Sequence, residues 1–431
     1  MQQDMFKYIA ANYETPTYVF HKKKLVQQVD LIRSRLPAGT MLCFAMKANP
    51  FMAGVLAGMV DRLEVCSPGE YEICIREHID PEKIVVSGVN KTTASMDRIL
   101  SYSRGAGIYT IESELHYRIL RQCAGGIGRR LKVLLRLSSG NQFGMDEAAL
   151  ERVLAMIQAD NVMDVIGIHY YAGTQKKRKK IESELQMLDA YGAKLREQYD
   201  TGSLELEYGP GLMVSYFENA GGDELAAEDS SEQLDMLSSL LSDVGAYEHI
   251  SIELGRFLTW DCGYYMTRIM DIKHTGKTGF VIVDGGIHQL NYYGQMMGMK
   301  IPYTRLISMG NLSKDSAGSG QCDERASDVS DIEDCIYAKE PGMWTICGSL
   351  CTVNDVLVRG IELNGFDIGD ILVFERCGAY AVTEGMAMFL SRELPQVLLA
   401  DENGNIQVLR EKIEINLLNG KMEEKENGRI N

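Results

Sequence analysis

Eight short apolar runs alternate with segments of helical periodicity over the first 256 residues. The runs are MLCFAM (41–46), LEVC (63–66), IVVSG (84–88), IYTI (108–111), VLLRLS (133–138), VIGIHYYA (165–172), LELEYG (204–209) and ISIELGR (250–256). This alternation of strands and helices is typical of a parallel sheet. Eight units favour an α/β fold, a (β/α)8 TIM-like barrel with functional side chains at the C-terminal strand ends. A doubly wound open sheet is the alternative architecture.

The pattern changes after residue 260, where runs such as GFVIVDGG and DILVFERCG indicate strands joined by turns with few long helices. We predict a C-terminal, mostly antiparallel β-barrel domain. The run TYVFH (17–21) precedes the first barrel unit and is expected to join that domain. The predicted divisions are an N-terminal strand region, a barrel, a β domain and a disordered tail, at 1–25, 26–260, 261–420 and 421–431. A Gly-, Ser- and Asp-rich stretch, 311–334, is predicted to be a mobile loop.

The composition excludes several classes of function. The formal net charge is −16, which argues against general nucleic-acid binding because that requires a basic surface. No apolar run of about 18 residues is present, and the N-terminal residues do not form a secretory signal, so a cytoplasmic protein without membrane association is expected. The ten cysteines form no CxxC pairs or Cys/His clusters, so neither a metal site nor a disulfide framework is predicted.

Lys47 ends the first barrel strand and has no acidic neighbour in sequence. Burial favours the neutral form of a lysine, and a neutral amine can form a Schiff base with an aldehyde. The alternative is a lysine that extends its ammonium group to solvent at the barrel rim.

Two glycine-containing turns, AGT (172–174) and YGPG (208–211), each follow a predicted strand. Backbone amides in such turns can hold a phosphate, although most are only tight connections. The run ELGR (253–256) places a carboxylate and a guanidinium at the same rim, where they could serve a heteroaromatic ligand or form a structural ion pair. Taken alone, Cys351 and Tyr380 are consistent with ordinary packing.

The ordered set AMKANP, EVCSPGE, NQFGMDE, GIHYYAGTQ, EYGPGLMVSYF, ELGRF, VIVDGGIH, GSLCTVND and GAY is more specific than any single motif. It resembles the fold-type III pyridoxal-phosphate (PLP) enzymes of the ornithine and diaminopimelate decarboxylase family, from about Thr15 to about residue 410. That resemblance implies a PLP-binding eight-stranded barrel with a C-terminal β domain.

The resemblance also implies roles for individual residues. Lys47 would bind PLP covalently, Glu253 would pair with the pyridine nitrogen, and Arg136 would support the ring. The cofactor-binding set that it implies is Lys47, Arg136, Tyr171, Thr174, Gly209, Pro210, Gly211, Glu253, Leu254, Gly255, Arg256 and Tyr380. The enzyme would be a homodimer in which Cys351 enters the partner's active site and protonates the substrate carbon after CO2 leaves.

Three positions depart from the family pattern. Tyr171 stands where the family has a histidine on the cofactor face, and Pro210 interrupts the usual triple-glycine turn. Thr352 follows the cysteine where free-substrate decarboxylases carry an acidic residue for the distal ammonium. For His288, in VIVDGGIH, a core or rim position is expected.

The motifs FGMDE, GIHYYAGTQ and VIVDGGIH and the pair Cys351–Thr352 resemble the butirosin-type decarboxylases, which act on a glutamyl group linked to an acyl carrier protein. Three alternatives stay open. They are a free amino acid decarboxylase, with meso-diaminopimelate as substrate and L-lysine as product, a non-catalytic PLP-binding protein, and a racemase on the same barrel.

Five consecutive cations, KKRKK (176–180), follow the predicted sixth strand. We predict that Lys176, Lys177 and Arg178 dock an acidic carrier protein or the phosphate of its phosphopantetheine arm. Each cation at a helix N-terminus interacts unfavourably with the helix dipole and destabilises the helix by about 0.3–1 kcal/mol. This cost favours a functional role for the cations. A solvated helix start is the alternative.

Overall fold

A computed structural model of the chain describes residues 2–102, 105–125, 130–199, 201–218, 229–292, 298–310 and 341–421. The predicted loop 311–334 and all but the first residue of the predicted tail 421–431 lie outside these ranges. The chain divides into two units, which comprise 25–214 with 225–259, and 1–24 with 215–224 and 260–431. No helix of the described residues is long and apolar enough to cross a membrane.

The first unit is a closed barrel of eight parallel strands, which confirms the predicted architecture and excludes the open sheet. The strands are β2 (Met41–Ala45), β3 (Arg62–Val65), β4 (Ile84–Val86), β5 (Ile108–Ile111), β6 (Leu131–Arg136), β7 (Met163–Tyr171), β8 (Glu205–Gly209) and β9 (His249–Leu254). Each strand pairs with its successor, and β9 closes the barrel on β2 with Glu253 opposite Cys43. Closure places the C-terminal ends of all eight strands around one rim.

Helices connect consecutive barrel strands, and one helix precedes β2 and one follows β9. They are α2 (Lys22–Arg35), α3 (Ala53–Leu56), α4 (Pro68–Arg76), α5 (Thr93–Ser101), α6 (Glu114–Ala124), α7 (Glu147–Asp160), α8 (Arg178–Gln198), α9 (Ser230–Ser242) and α10 (Arg256–Thr259). Local sequence sets where several begin. The Asp146 carboxylate accepts a hydrogen bond from the Ala149 amide at 2.7 Å, which caps α7. Apolar residues such as Leu150, Leu154 and Ile157 recur at helical spacing on α7 and are buried.

The second unit contains one nine-stranded, mostly antiparallel sheet. Its strands are β1 (Thr17–His21), β10 (Gly263–Thr275), β11 (Thr278–Val283), β12 (Thr304–Ile307), β13 (Gly342–Cys347), β14 (Val356–Leu363), β15 (Ile371–Phe374), β16 (Gln396–Ala400) and β17 (Ile406–Arg410). The run TYVFH forms β1 of this sheet, where it lies between β10 and β16. Two short helices, α1 (Gln2–Asn12) and α11 (Asn416–Asn419), belong to the same unit. The first was not predicted, and its Phe6 and Ile9 pack into the core of the sheet.

Candidate active site

Lys47 lies in a 3₁₀ turn, Met46–Ala48, directly after β2 at the C-terminal rim of the barrel. Gly255, at the end of β9, packs closely against this turn. A Cβ at Gly255 would lie 3.0 Å from Ala48 Cβ and 3.2 Å from Ala45 Cβ, closer than side chains normally pack. Glycine therefore allows the end of β9 to approach the turn, so that Glu253 lies beside Lys47.

Two carboxylates flank the Lys47 ammonium. Its Nζ lies 3.0 Å from Glu64 Oε2 on β3 and 3.7 Å from Glu253 Oε1 on β9. The Lys47 side chain is 35% exposed, whereas the two carboxylate side chains are 2% and 4% exposed. Lys47 is therefore accessible to a ligand. Its sequence neighbours suggested an isolated amine in apolar surroundings, but two carboxylates lie beside it.

Glu253 is held as an anion. Its Oε2 lies 2.8 Å from Nε2 of His169, a buried residue on β7. Burial by itself raises the pKa of this carboxyl, but Lys47 and the His169 hydrogen bond outweigh burial and lower the pKa to about 2. Glu253 is therefore ionised at neutral pH. His169 was not predicted as a site residue, although it lies two residues before Tyr171 and so on the same face of the strand.

Glu64, His169 and Glu253 could be mistaken for a metal site, because their donor atoms lie within 4.8 Å of one another. The Lys47 ammonium, however, contacts both carboxylates. This arrangement already supplies a cation to the two carboxylates, so we assign the cluster to Lys47 rather than to a metal.

Tyr171 lies against the turn that follows β8. A Cβ at Gly209 would clash with Tyr171 Cδ2, so only glycine permits this contact. The centre of the Tyr171 ring is 5.7 Å from Lys47 Nζ. Burial raises the pKa of the phenol, which keeps the ring neutral at physiological pH. Tyr171 thus offers a neutral aromatic face beside Lys47.

The two glycine-containing turns pack against each other. Gly211 has φ of +60°, and a Cβ there would collide with Gly173 O and lie 3.0 Å from Thr174 Cα. Thr174 is half-buried and Pro210 is buried between the two glycines of its turn. The predicted phosphate turns are therefore adjacent at one side of the rim. Of the other predicted cofactor residues, Leu254 is buried in β9 and Arg256 is half-buried at the start of α10.

Arg136 is buried at the end of β6, where its Nη1 donates to Glu112 Oε2 at 3.1 Å. Its guanidinium lies 4.9 Å from the centre of the Phe143 ring. The other oxygen of Glu112 is 4.0 Å from Lys91 Nζ. Burial lowers the pKa of Lys91 to about 8, against the opposing effect of Glu112. Lys91 and Glu112 were not predicted, since their pairing depends on the adjacency of β4 and β5 in the barrel.

Lys176 differs from its predicted role. Its side chain is 6% exposed, and Nζ donates to Glu184 Oε2 at 2.6 Å and to Gly209 O at 2.9 Å. It therefore does not lie on a surface that a carrier protein could contact, because the chain turns inward before α8 begins. Lys177 and Arg178 are exposed at the start of α8, in agreement with a surface position.

In the second unit, Cys351 is exposed in the loop between β13 and β14. Asp355 organises this loop, since its carboxylate accepts hydrogen bonds from the backbone amides of Ile287 at 2.9 Å and Leu350 at 2.7 Å. Thr352 turns its hydroxyl to its own loop and accepts from the Asn354 amide at 3.4 Å. The roles predicted for Cys351 and Thr352 stay predictions.

Tyr380 and His288 also belong to the second unit. Tyr380 has φ of +66° in a turn whose shape is set by hydrogen bonds from the Thr383 and Glu384 amides to its carbonyl. His288 is 2% exposed, and burial lowers the pKa of its imidazole to about 4. The ring is therefore neutral at physiological pH and occupies a core position.

Comparison with known proteins identifies the family of the chain. The family model of the ornithine, diaminopimelate and arginine decarboxylases, described as pyridoxal-dependent decarboxylase, C-terminal sheet domain, matches residues 17–378. The chain belongs to this family. Its members are PLP-dependent carboxy-lyases of amino acids, so the chain is an enzyme of this class and its cofactor is PLP.

Individual relatives are distant but cover nearly the whole chain. Diaminopimelate decarboxylase of Aquifex aeolicus is 23% identical over 94% of this chain and 91% of its own. The L-glutamyl-[BtrI acyl-carrier protein] decarboxylase of Niallia circulans is 24% identical over 94% of this chain and 92% of its own. The fold is similar to that of the diaminopimelate decarboxylase of M. jannaschii, solved with L-lysine, with a TM-score of 0.78, 19% identity and coverage of 95% and 92%.

The barrel residues fit PLP. Lys47 is an accessible amine for the aldehyde, and Glu253 is an anion that can hold the pyridine nitrogen protonated. Gly209 and Gly211 let the turn after β8 pack closely against Tyr171 and against the turn that contains Gly173 and Thr174. When bound, PLP supplies an electron sink for the electron pair left by a departing carboxylate.

Glu207, on β8, predicts a pH-dependent stability of the barrel. It is fully buried, and burial raises its pKa to about 7 despite His169 and Arg62. Because the folded pKa exceeds the unfolded value, the contribution of Glu207 to stability is fully present below about pH 4.5 and is lost as the pH rises through 7. We expect Glu207→Gln to raise the free energy of unfolding at pH 8 by about 1–3 kcal/mol, and by much less at pH 5. Denaturant titration at both pH values measures this, and equal effects would contradict it.

Proposed function

We propose that this protein is a PLP-dependent α-decarboxylase of an aminoacyl group linked to an acyl carrier protein, with glutamyl as the acyl group. The observation that carries the proposal is Thr352, next to the exposed Cys351. A hydroxyl bears no charge, and that of Thr352 accepts from its own loop. It cannot pair with the distal ammonium of a diamino acid, whereas a carrier-bound glutamyl group has no such ammonium. The similarity to the Niallia circulans enzyme supports this substrate class.

The second candidate is a decarboxylase of free meso-diaminopimelate. It is favoured by relatives of that name from Aquifex aeolicus and Pseudomonas aeruginosa, at 23% and 26% identity. The two candidates share the barrel chemistry and differ only in what recognises the end of the substrate far from the reacting carbon.

The barrel residues have distinct tasks in this reaction. Lys47 holds the cofactor, and the Glu253 anion keeps a proton on the heteroaromatic nitrogen, since its pKa is about 2. His169 fixes the Glu253 carboxylate through its 2.8 Å contact. Tyr171 would offer its neutral ring to the cofactor and help to orient it, and it would perform no proton transfer near neutral pH.

Cys351 is proposed to complete the reaction as the proton donor. Loss of CO2 leaves an electron pair on the substrate carbon. The Cys351 thiol gives its Sγ proton to that carbon, and the resulting thiolate recovers a proton from solvent. To reach an active site on the partner subunit, the thiol must be exposed on its own subunit, and Cys351 is exposed.

The substrate assignment is tested by assaying CO2 release from both substrates. We expect kcat/KM for the glutamyl-carrier substrate to exceed that for diaminopimelate by about 100-fold, because Thr352 offers no carboxylate to the distal ammonium. The matched variant Thr352→Glu restores a carboxylate and should raise kcat/KM for diaminopimelate about tenfold. Faster turnover of diaminopimelate by the wild-type enzyme would reject the proposal.

The exposed cations at the start of α8 allow the same assay to test docking of a carrier protein. We propose that Lys177 and Arg178 contact the carrier protein, in a first turn that contains no acidic residue. The double variant Lys177→Glu with Arg178→Glu should raise KM for the carrier substrate and leave that for a small free substrate unchanged. Equal effects on both substrates would exclude docking at this position.

We also propose a homodimer in which Cys351 of one subunit serves the Lys47 of its partner. The variants Lys47→Ala and Cys351→Ala should each be inactive. After unfolding and refolding together, half of the dimers are mixed and contain one intact site of two, so about a quarter of wild-type turnover should return. Mixing that restores no activity would show that Cys351 acts within its own subunit.

A further inference from the structure

Lys176 is a buried cation beside the turn that contains Pro210. An ammonium has three N–H donors, and Lys176 Nζ uses one for Glu184 Oε2 and one for Gly209 O. Among the residues that the structure describes, no third acceptor is recorded for this nitrogen. The Lys176 backbone amide donates to Gly211 O at 2.9 Å, which fixes the residue against the same turn.

The charges around Lys176 do not cancel. Glu184 lies 2.6 Å from Lys176 Nζ and 3.7 Å from Lys180 Nζ, and it also accepts from the Tyr208 hydroxyl at 2.7 Å. Two ammonium groups therefore share one carboxylate, which leaves one net positive charge. Lys176 Nζ is 5.9 Å from the centre of the Tyr171 ring, the ring that Lys47 approaches from 5.7 Å. Lys176 and Lys47 therefore both lie near the Tyr171 ring, at the C-terminal end of β7.

The turn Gly209–Pro210–Gly211 lacks one backbone donor, since proline has no N–H. Anions are held in such turns mainly by backbone N–H groups. A buried lysine is costly unless paired, and a buried ion pair adds little stability over apolar packing. The pairing of Lys176 with Glu184 satisfies the buried charge, and it leaves one N–H of Lys176 Nζ available beside the turn that lacks a donor at Pro210.

We propose that Lys176 binds the phosphate group of PLP and replaces the donor that Pro210 does not supply. The third N–H of Nζ donates to a phosphate oxygen, and the net charge of Lys176, Glu184 and Lys180 stabilises the dianion. The inference concerns the cofactor and is independent of which acyl group is decarboxylated.

Comparison of PLP with pyridoxal, which lacks the phosphate, tests the proposal. Affinity of the cofactor-free protein for each aldehyde is measured by fluorescence titration. Lys176→Met should weaken PLP binding by about 10- to 100-fold, the range for a hydrogen bond to a charged group, and leave pyridoxal binding unchanged. Lys179→Met, which removes an exposed cation of the same run, is the matched control and should alter neither affinity. Equal weakening of both aldehydes, or of neither, would overturn the proposal.

Glu184→Gln provides a second test that does not remove the lysine. It leaves the ammonium groups of Lys176 and Lys180 without their shared anion, so the preference for PLP over pyridoxal should increase. An unchanged or smaller preference would overturn the phosphate assignment even if Lys176→Met failed to fold. Both measurements read cofactor affinity, so they remain informative whichever substrate the enzyme uses.

Discussion

Lys47→Ala is expected to abolish decarboxylation, with a loss on the order of 10⁴-fold or more in kcat, because no other described amine lies between Glu64 and Glu253. The absorption band of the covalently bound cofactor should disappear with the activity. Borohydride reduction of the wild-type enzyme, followed by mass spectrometry, should place the cofactor on the peptide that contains Lys47.

Removing Lys47 also leaves two buried carboxylates without their cation, so loss of activity alone does not prove covalent chemistry. Lys47→Arg is the matched control, since it keeps a positive charge between Glu64 and Glu253 but cannot form the bond. We expect Lys47→Arg to retain more thermal stability than Lys47→Ala and to be equally inactive. Persistence of the absorption band in either variant would disprove the assignment.

Glu253→Gln is expected to lower kcat by about 10²–10⁴-fold while the cofactor stays covalently bound. The amide has nearly the same shape but cannot act as the anion that holds the pyridine nitrogen protonated. The measurement is steady-state kinetics, with the absorption spectrum as a check on cofactor content. Retention of activity within a few-fold of the wild type would contradict the role of Glu253.

The pH dependence gives an independent check on Glu253. Its pKa is lowered from 4.5 to about 2, so the anion persists as the pH falls through 4 and is lost only near 2. Protonation of Glu253 should therefore not lower kcat at any pH above about 4. A fall in kcat above pH 4, if observed, should come from another group and should persist in Glu253→Gln. Glu64→Gln, which alters the other carboxylate at Lys47, is the matched comparison and should lower kcat less than Glu253→Gln.

Much of the fold could be read from periodicity. All eight predicted barrel strands are present, each within a few residues of its expected range, because buried parallel strands are short apolar runs. The same logic located Lys47 and Glu253 at strand ends, where parallel strands direct functional side chains. The order of motifs indicated the family, which the match over residues 17–378 confirms.

The partners of these residues could not be predicted. Glu64 is 17 residues from Lys47 and His169 is 84 residues from Glu253, so no local pattern relates them. Lys176 was misjudged for a related reason. A run of five cations predicts that all five side chains are exposed. The first of them, Lys176, instead precedes α8 and is buried against the turn that contains Gly211, whereas the next, Lys177, is at the surface.

The sequence by itself determined the barrel and the family, because strand spacing and the order of motifs can be read directly along the chain. The covalent role of Lys47 stays a prediction. The tertiary structure decided the electrostatics of the site. Closure of β9 on β2 brings Glu253 to Lys47, and the adjacency of β7 and β8 brings Lys176 to the turn that contains Pro210. Charge interactions depend on distance in space, and these distances exist only after the barrel has closed.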